Sequence, residues 1–126
     1  MVLNLDGTKP IYIQISEWLE NEILNGNFES EQKIYSQYQL ADIFTINPAT
    51  AAKGLNLLAD EQILYKRRGL GMFVAPDAKD MILAKRKNQT LKRLVEELVL
   101  EAWRLKVSKQ ELIEMIHSIN TGEAGE

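Results

Sequence analysis

Cysteine is absent from the 126 residues and histidine occurs once, as His117. The first absence excludes disulfides, thiolate nucleophiles and thiolate metal sites together, and the second leaves no pair of imidazoles for a metal or a general base. No apolar run approaches the roughly 20 residues that span a bilayer, and the opening Met1-Val2-Leu3-Asn4-Leu5-Asp6 lacks the basic n-region and apolar h-region of a signal peptide. The chain therefore reads as cytoplasmic, with no membrane partner. No nucleophile–base pair, paired-carboxylate cleft or phosphate loop stands at recognisable spacing, so nothing points to an enzyme or to a cofactor. Internal repeats and low-complexity segments are missing too. So is an excess of positive charge: the formal net charge is −3, the wrong sign for a protein approaching a polyanion.

What is present is the balance of a folded protein, 45% hydrophobic and 26% charged residues, at a length that suits one domain or a small module with an appendage. Pro10 suits a first helical turn, and Ile11, Ile15, Leu19 and Ile23 recur every four residues until Gly26, a natural left-handed cap. Ser36-Gln37-Tyr38-Gln39 has the form of a capping box, followed by an apolar face of Leu40, Ile43 and Phe44. Asn47-Pro48 gives a capping side chain followed by a proline whose missing N–H costs nothing, and Ala51, Leu55, Leu58 and Ala59 carry a helical stripe to about Asp60.

Two helices joined this tightly make a helix-turn-helix unit. Behind it come Ile63 to Lys66 and Met72 to Ala75, two short β-prone runs around Arg67-Arg68-Gly69-Leu70-Gly71, the sequence shape of a wing. Residues 1–75 hold six basic side chains against nine acidic, but four of the six fall between Lys53 and Arg68, so the basic surface is local. Pro76-Asp77 suggests a boundary. Beyond it Leu91, Val95, Leu98, Ala102 and Leu105 step by four and three residues, a heptad seam that a lone helix cannot bury and that marks these five as dimerisation residues. Ser108 to Glu111 resembles a second capping box, opening a last helix that Asn120 and Gly122 end. The expected fold is mainly α with a small β-wing: a winged helix-turn-helix over residues 1–76 and a two-helix dimerisation region over 77–126.

With these elements in order, the run Pro10-Ile11-Tyr12-Ile13-Gln14-Ile15, Leu40-Ala41, Ile46-Asn47-Pro48, Thr50, and Arg67-Arg68-Gly69-Leu70-Gly71-Met72-Phe73-Val74 resembles the GntR superfamily of bacterial regulators over about residues 8–76. Ile-Asn-Pro before the third helix, with only about 50 residues to follow, is similar to the YtrA-type subfamily. The resemblance implies a homodimer paired through its C-terminal helices, repressing operons that often encode ABC-type transporters. Three positions depart from the family pattern: Tyr38 stands where an arginine touches DNA, Thr45 where the turn carries glycine, and Leu70 where the wing carries lysine.

The expected partner is double-stranded operator DNA. In the third helix, Asn47, Ala49, Thr50 and Lys53 stand near the end that enters a major groove, and Lys53 would reach guanine or phosphate. In the wing, Arg67 and Arg68 would meet backbone, with Gly69 and Gly71 allowing close approach. Tyr35, Ser36 and Tyr38 would offer neutral hydrogen bonds to phosphate at the second helix's N-terminus. Each residue also has a plainer role open to it. Asn47 caps its helix in any case, Tyr38 could pack in the core, and Ala49, Ala51, Ala52 and Gly54 could serve helix packing rather than a groove. Lys85-Arg86-Lys87 reads as a solvated helix face, Trp18 and Trp103 as core and interface anchors. The acidic balance and the missing arginine leave an alternative open, a winged helix used for protein interaction with weak or no specific DNA binding. No small-molecule effector is legible, since two helices enclose little volume.

Overall fold

Pro10 caps the first helix of the computed structural model, which describes residues 3–4 and 7–119. In chain order the elements are α1 (Ile11–Leu24), α2 (Gln37–Phe44), α3 (Pro48–Asp60), β1 (Leu64–Arg67), β2 (Gly71–Val74), α4 (Ala78–Lys85), a π-helical stretch (Arg86–Leu91), α5 (Lys92–Arg104) and α6 (Lys109–Ser118). They form two compact units, Met1–Ala84 and Lys85–Glu126.

The first unit closes over one apolar core. Ile15, Leu19 and Ile23 from α1 meet Leu40 from α2, Leu55 and Leu58 from α3, and Leu64 and Val74 from the two strands. A four-residue step keeps the α1 side chains on one stripe, and burying them supplies most of the helix's stability. Trp18 anchors a second patch, with its ring 6.0 Å from that of Tyr35 and edge-on to Phe44 at 5.0 Å.

The turn between α2 and α3 is Thr45-Ile46-Asn47. Thr45 takes φ 54 and ψ 55, the left-handed region, and Ile46 N–H donates to the Ala41 carbonyl. A β-branched residue is costly there because its Cβ crowds the following carbonyl. Thr45→Gly is accordingly expected to stabilise the fold by about 1 kcal/mol. Thermal unfolding checks this, and a lower melting temperature would contradict it.

β1 and β2 pair antiparallel from Leu64 opposite Val74 to Arg67 opposite Gly71. The segment before α2 adds a third strand-like edge. Lys33 bridges to Phe73, Ile34 N–H donates to the Met72 carbonyl, and Val74 N–H donates to the Gln32 carbonyl.

The expected break after residue 76 falls too early. In α4, Ala78 and Ile82 are buried in the first unit's core, so the unit runs to Ala84. Helical bonding then passes through a π-helical stretch before α5, where the seam spacing predicts ordinary helix.

In the second unit, Lys106 takes φ 61 between α5 and α6, and the Ser108 hydroxyl accepts from Glu111 N–H, the Ser108 half of the expected capping box. Asn120, Gly122 and the tail from Glu123 lie outside the described residues. Leu91, Val95, Leu98 and Leu105 are all exposed, whereas Ala102 is covered within its own chain, beside a cavity that Leu112 also lines.

Candidate nucleic-acid interface

Four exposed residues run along α3 at helical spacing, Ala49, Lys53, Asn56 and Asp60. Opposite them Ala51, Gly54, Leu55 and Leu58 are buried, so two of the small residues serve packing. A Cβ added at Gly54 would lie 2.9 Å from the Tyr12 carbonyl oxygen. Asn47 is the N-cap: its Oδ1 accepts from Ala49 N–H at 2.8 Å. Thr50 is half-buried one turn along. The Lys53 ammonium stands 4.2 Å from the centre of the Tyr12 ring, a cation–π contact that turns it towards α1.

At the start of α2 the capping box is complete. Ser36 N–H donates to Gln39 Oε1 at 2.8 Å, and Gln39 N–H donates to Ser36 Oγ at 3.1 Å. The Ser36 hydroxyl oxygen is thus engaged in the helix end itself. Tyr35 presents little of its ring, which lies between Trp18 and the edge of Phe28 at 5.0 Å. Tyr38, by contrast, is 66% exposed.

The wing tip turns at Arg68, Gly69 and Leu70, closed by Leu70 N–H donating to the Arg67 carbonyl at 2.9 Å. Gly69 (φ 76) and Gly71 (φ 112) take conformations that side chains resist. Arg68 is exposed. Arg67 is tied down: its guanidinium lies 3.8 Å from Glu31 Oε2, donates to the Tyr65 hydroxyl at 3.1 Å, and stacks 4.5 Å from the Phe73 ring centre. Tyr65 in turn donates to Glu31 Oε1. An acid beside a wing arginine offsets part of the charge a phosphate would feel. Glu31→Gln is therefore expected to tighten binding to any duplex by about twofold at low salt, the scale of an exposed ion pair. Fluorescence anisotropy with a generic duplex measures it, and weaker binding would contradict the role given to Glu31.

α2, α3 and the wing meet around a groove of about 340 Å³. The sequence-derived candidates Tyr35, Ser36, Tyr38 and Gly71 line it. So do Lys33, Gln37 and Asn56, which sequence reasoning missed. Lys33 comes in through main-chain pairing with β2, which leaves no side-chain signature; Asn56 could have been found by extending the Ala49–Lys53 spacing one turn. A second surface of about 460 Å³, on the α1 side of α3, holds Ala49 and Lys53. Among the described residues no cluster of His, Asp and Glu could hold a metal, and no helix is long and apolar enough to cross a membrane.

The family model described as bacterial regulatory proteins, gntR family, matches residues 11–74. The chain belongs to the GntR family. Members of it are DNA-binding transcription regulators and not enzymes. The GntR chain is 30% identical over 116 residues to the transcriptional repressor YtrA of Bacillus subtilis (strain 168), covering 92% of this chain and 88% of that one, which makes it a regulator of YtrA type. Several other curated relatives are longer proteins, of which it spans 31% in one case and 21% in another. Among solved structures, a GntR family transcriptional regulator from Listeria monocytogenes superposes with a TM-score of 0.74 at 30% identity, over 92% of this chain and all of that one. The DNA-binding domain of AraR in complex with operator ORX1 superposes with a TM-score of 0.55 at 29% identity, over 60% of this chain and 95% of that one.

Proposed function

We propose that this GntR-family regulator represses its own or a neighbouring operon, one encoding an ABC-type transporter in the manner of its subfamily, by binding a palindromic operator in the cytoplasm as a homodimer. The observation that carries the reading is the convergence of α3's exposed face, the α2 N-terminus and the basic wing on one side of a single unit. In this arrangement α3 enters the major groove N-terminus first, with Asn47, Ala49, Thr50 and Lys53 leading, and Arg68 with the Gly69–Gly71 turn rests on backbone. Tyr38 and the N–H groups at the start of α2 complete the phosphate contacts.

Dimerisation is read from α5 and the residues at its two ends. Leu91, Val95, Leu98 and Leu105 leave a heptad-spaced apolar face in water, more than a monomer ordinarily tolerates. A twofold pair would place two recognition helices at half-sites one or more helical turns apart.

The test is anisotropy binding to DNA from upstream of the protein's own operon, against scrambled DNA of equal length at two salt concentrations, alongside sedimentation of wild type and Leu98→Asp. Preference for the upstream DNA, with affinity falling as salt rises and the variant sedimenting as monomer, supports the reading. Equal weak binding to both duplexes overturns it in favour of a protein-interaction module.

A further inference from the structure

We propose that Gln37 and Asn56 act as a pair of carboxamides that read adenine within each operator half-site, an inference that rests on the operator-binding reading above. Both residues line both surfaces flanking the exposed face of α3, with Ala52 between them in each. Gln37 is the first residue of α2, and Asn56 is the exposed residue one turn beyond Lys53. On the helix surface beside them Ala49 and Ala52 present only methyl groups, and the long side chain of Lys53, also on this face, is drawn over the Tyr12 ring towards α1.

Most other carboxamides in the first unit are engaged locally. Gln39 and Asn47 cap helices, Gln14 pins the main chain of Asn4 and Lys9, Asn27 donates to Glu22, and Gln32 accepts from Glu29 N–H. Among the described residues the side chains of Gln37 and Asn56 make no such bond. Of the nearby cations, Lys53 is turned over Tyr12 and Arg67 is held by Glu31 and Tyr65, while Lys33 and Lys66 line the groove beside the pair and offer donors only, which suit phosphate or guanine rather than adenine.

A carboxamide has one acceptor and a donor amine side by side, and this pattern matches the N6 donor and N7 acceptor that adenine shows in the major groove. Guanine offers two acceptors there and suits arginine or lysine instead. A phosphate offers only acceptors and would leave the carbonyl oxygen unused. The pair thus fits base recognition by neutral groups, in a chain whose net charge is −3.

Selection from randomised duplexes with the full-length chain tests this, using wild type, Gln37→Ala, Asn56→Ala and Asn56→Asp, each first checked for an unchanged melting temperature. Wild type is expected to enrich a palindrome with adenine in each half-site. Each alanine variant should lose selection at its own adenine position, with about tenfold weaker binding to the enriched duplex and unchanged binding to scrambled DNA. Asn56→Asp should move that position towards cytosine, whose N4 amine a carboxylate accepts. The same enriched sequence from all four proteins, or an equal loss on every duplex, overturns the pair as readers while leaving operator binding intact. A wild type that enriches no sequence overturns operator binding and this inference together.

Discussion

Gly54→Val is expected to destabilise the first unit by about 3 kcal/mol, the cost of forcing extra carbons into a closed helix contact, and to lower its melting temperature by roughly 15 °C. At this position α1 and α3 touch backbone to side chain: a Cβ would stand 2.9 Å from the Tyr12 carbonyl oxygen and 3.1 Å from Ile15 Cγ2. The oxygen belongs to a helix and has little freedom to retreat, while Ile15 is fully buried. Gly54→Ala provides the graded case. Alanine recovers about 1 kcal/mol of helix propensity, which partly offsets the clash, so its loss should be about half that of valine or less. Melting curves of the three proteins at one concentration decide the matter. A valine variant that melts with wild type would mean that α1 and α3 do not approach this closely in solution.

Arg67→Ala with Arg68→Ala is expected to weaken binding to every duplex alike and to flatten the salt dependence, by about 0.9 in log–log slope for each phosphate no longer neutralised. The two arginines should not contribute equally. Among the described residues Arg68 has no ion-pair partner at the tip, whereas Arg67 already shares its charge with Glu31 at 3.8 Å and covers the Phe73 ring. Arg68→Ala alone should reproduce most of the slope change. Arg67→Ala should instead loosen the hairpin, since it uncovers the Phe73 ring and leaves Glu31 only its bond from the Tyr65 hydroxyl. Titrations of both single variants and the double, each at several salt concentrations, separate the two effects. An unchanged slope in the double variant would remove the wing from the DNA.

Where local chemistry decides the structure, the sequence was legible. Ser36 with Gln39 and Asn47 with Pro48 mark helix starts because the capping atoms lie within three residues of the N–H groups they satisfy. Gly69 and Gly71 mark the wing turn for the same reason. Long-range features were hidden. The edge formed by residues 31–34 is built from main-chain bonds to β2, and the Glu31–Tyr65–Arg67 cluster depends on it. The apolar residues of α4, Ala78, Met81, Ile82, Leu83 and Ala84, fall all round the helix rather than on one stripe, so no periodicity assigned α4 to the first core and Pro76 stood as the boundary. Within the interface, spacing identified the exposed side of α3 but not the company its residues keep. Lys53 over Tyr12 and Tyr35 beside Trp18 are contacts between segments far apart in the chain.

The third edge on the hairpin has a consequence for the thermodynamics of association. Residues 31–34 bond β2 along its outer side while β1 bonds its inner side, so Met72, Phe73 and Val74 are held from both flanks and only the tip from Arg68 to Leu70 remains without a neighbouring strand. A loop that must be ordered on binding loses conformational entropy at each residue. Here that loss is confined to about three residues, and the rest of the wing arrives preorganised. Hydrogen exchange should accordingly slow on DNA at the tip amides, while the amides of Ile34 and Val74 are protected before DNA is added.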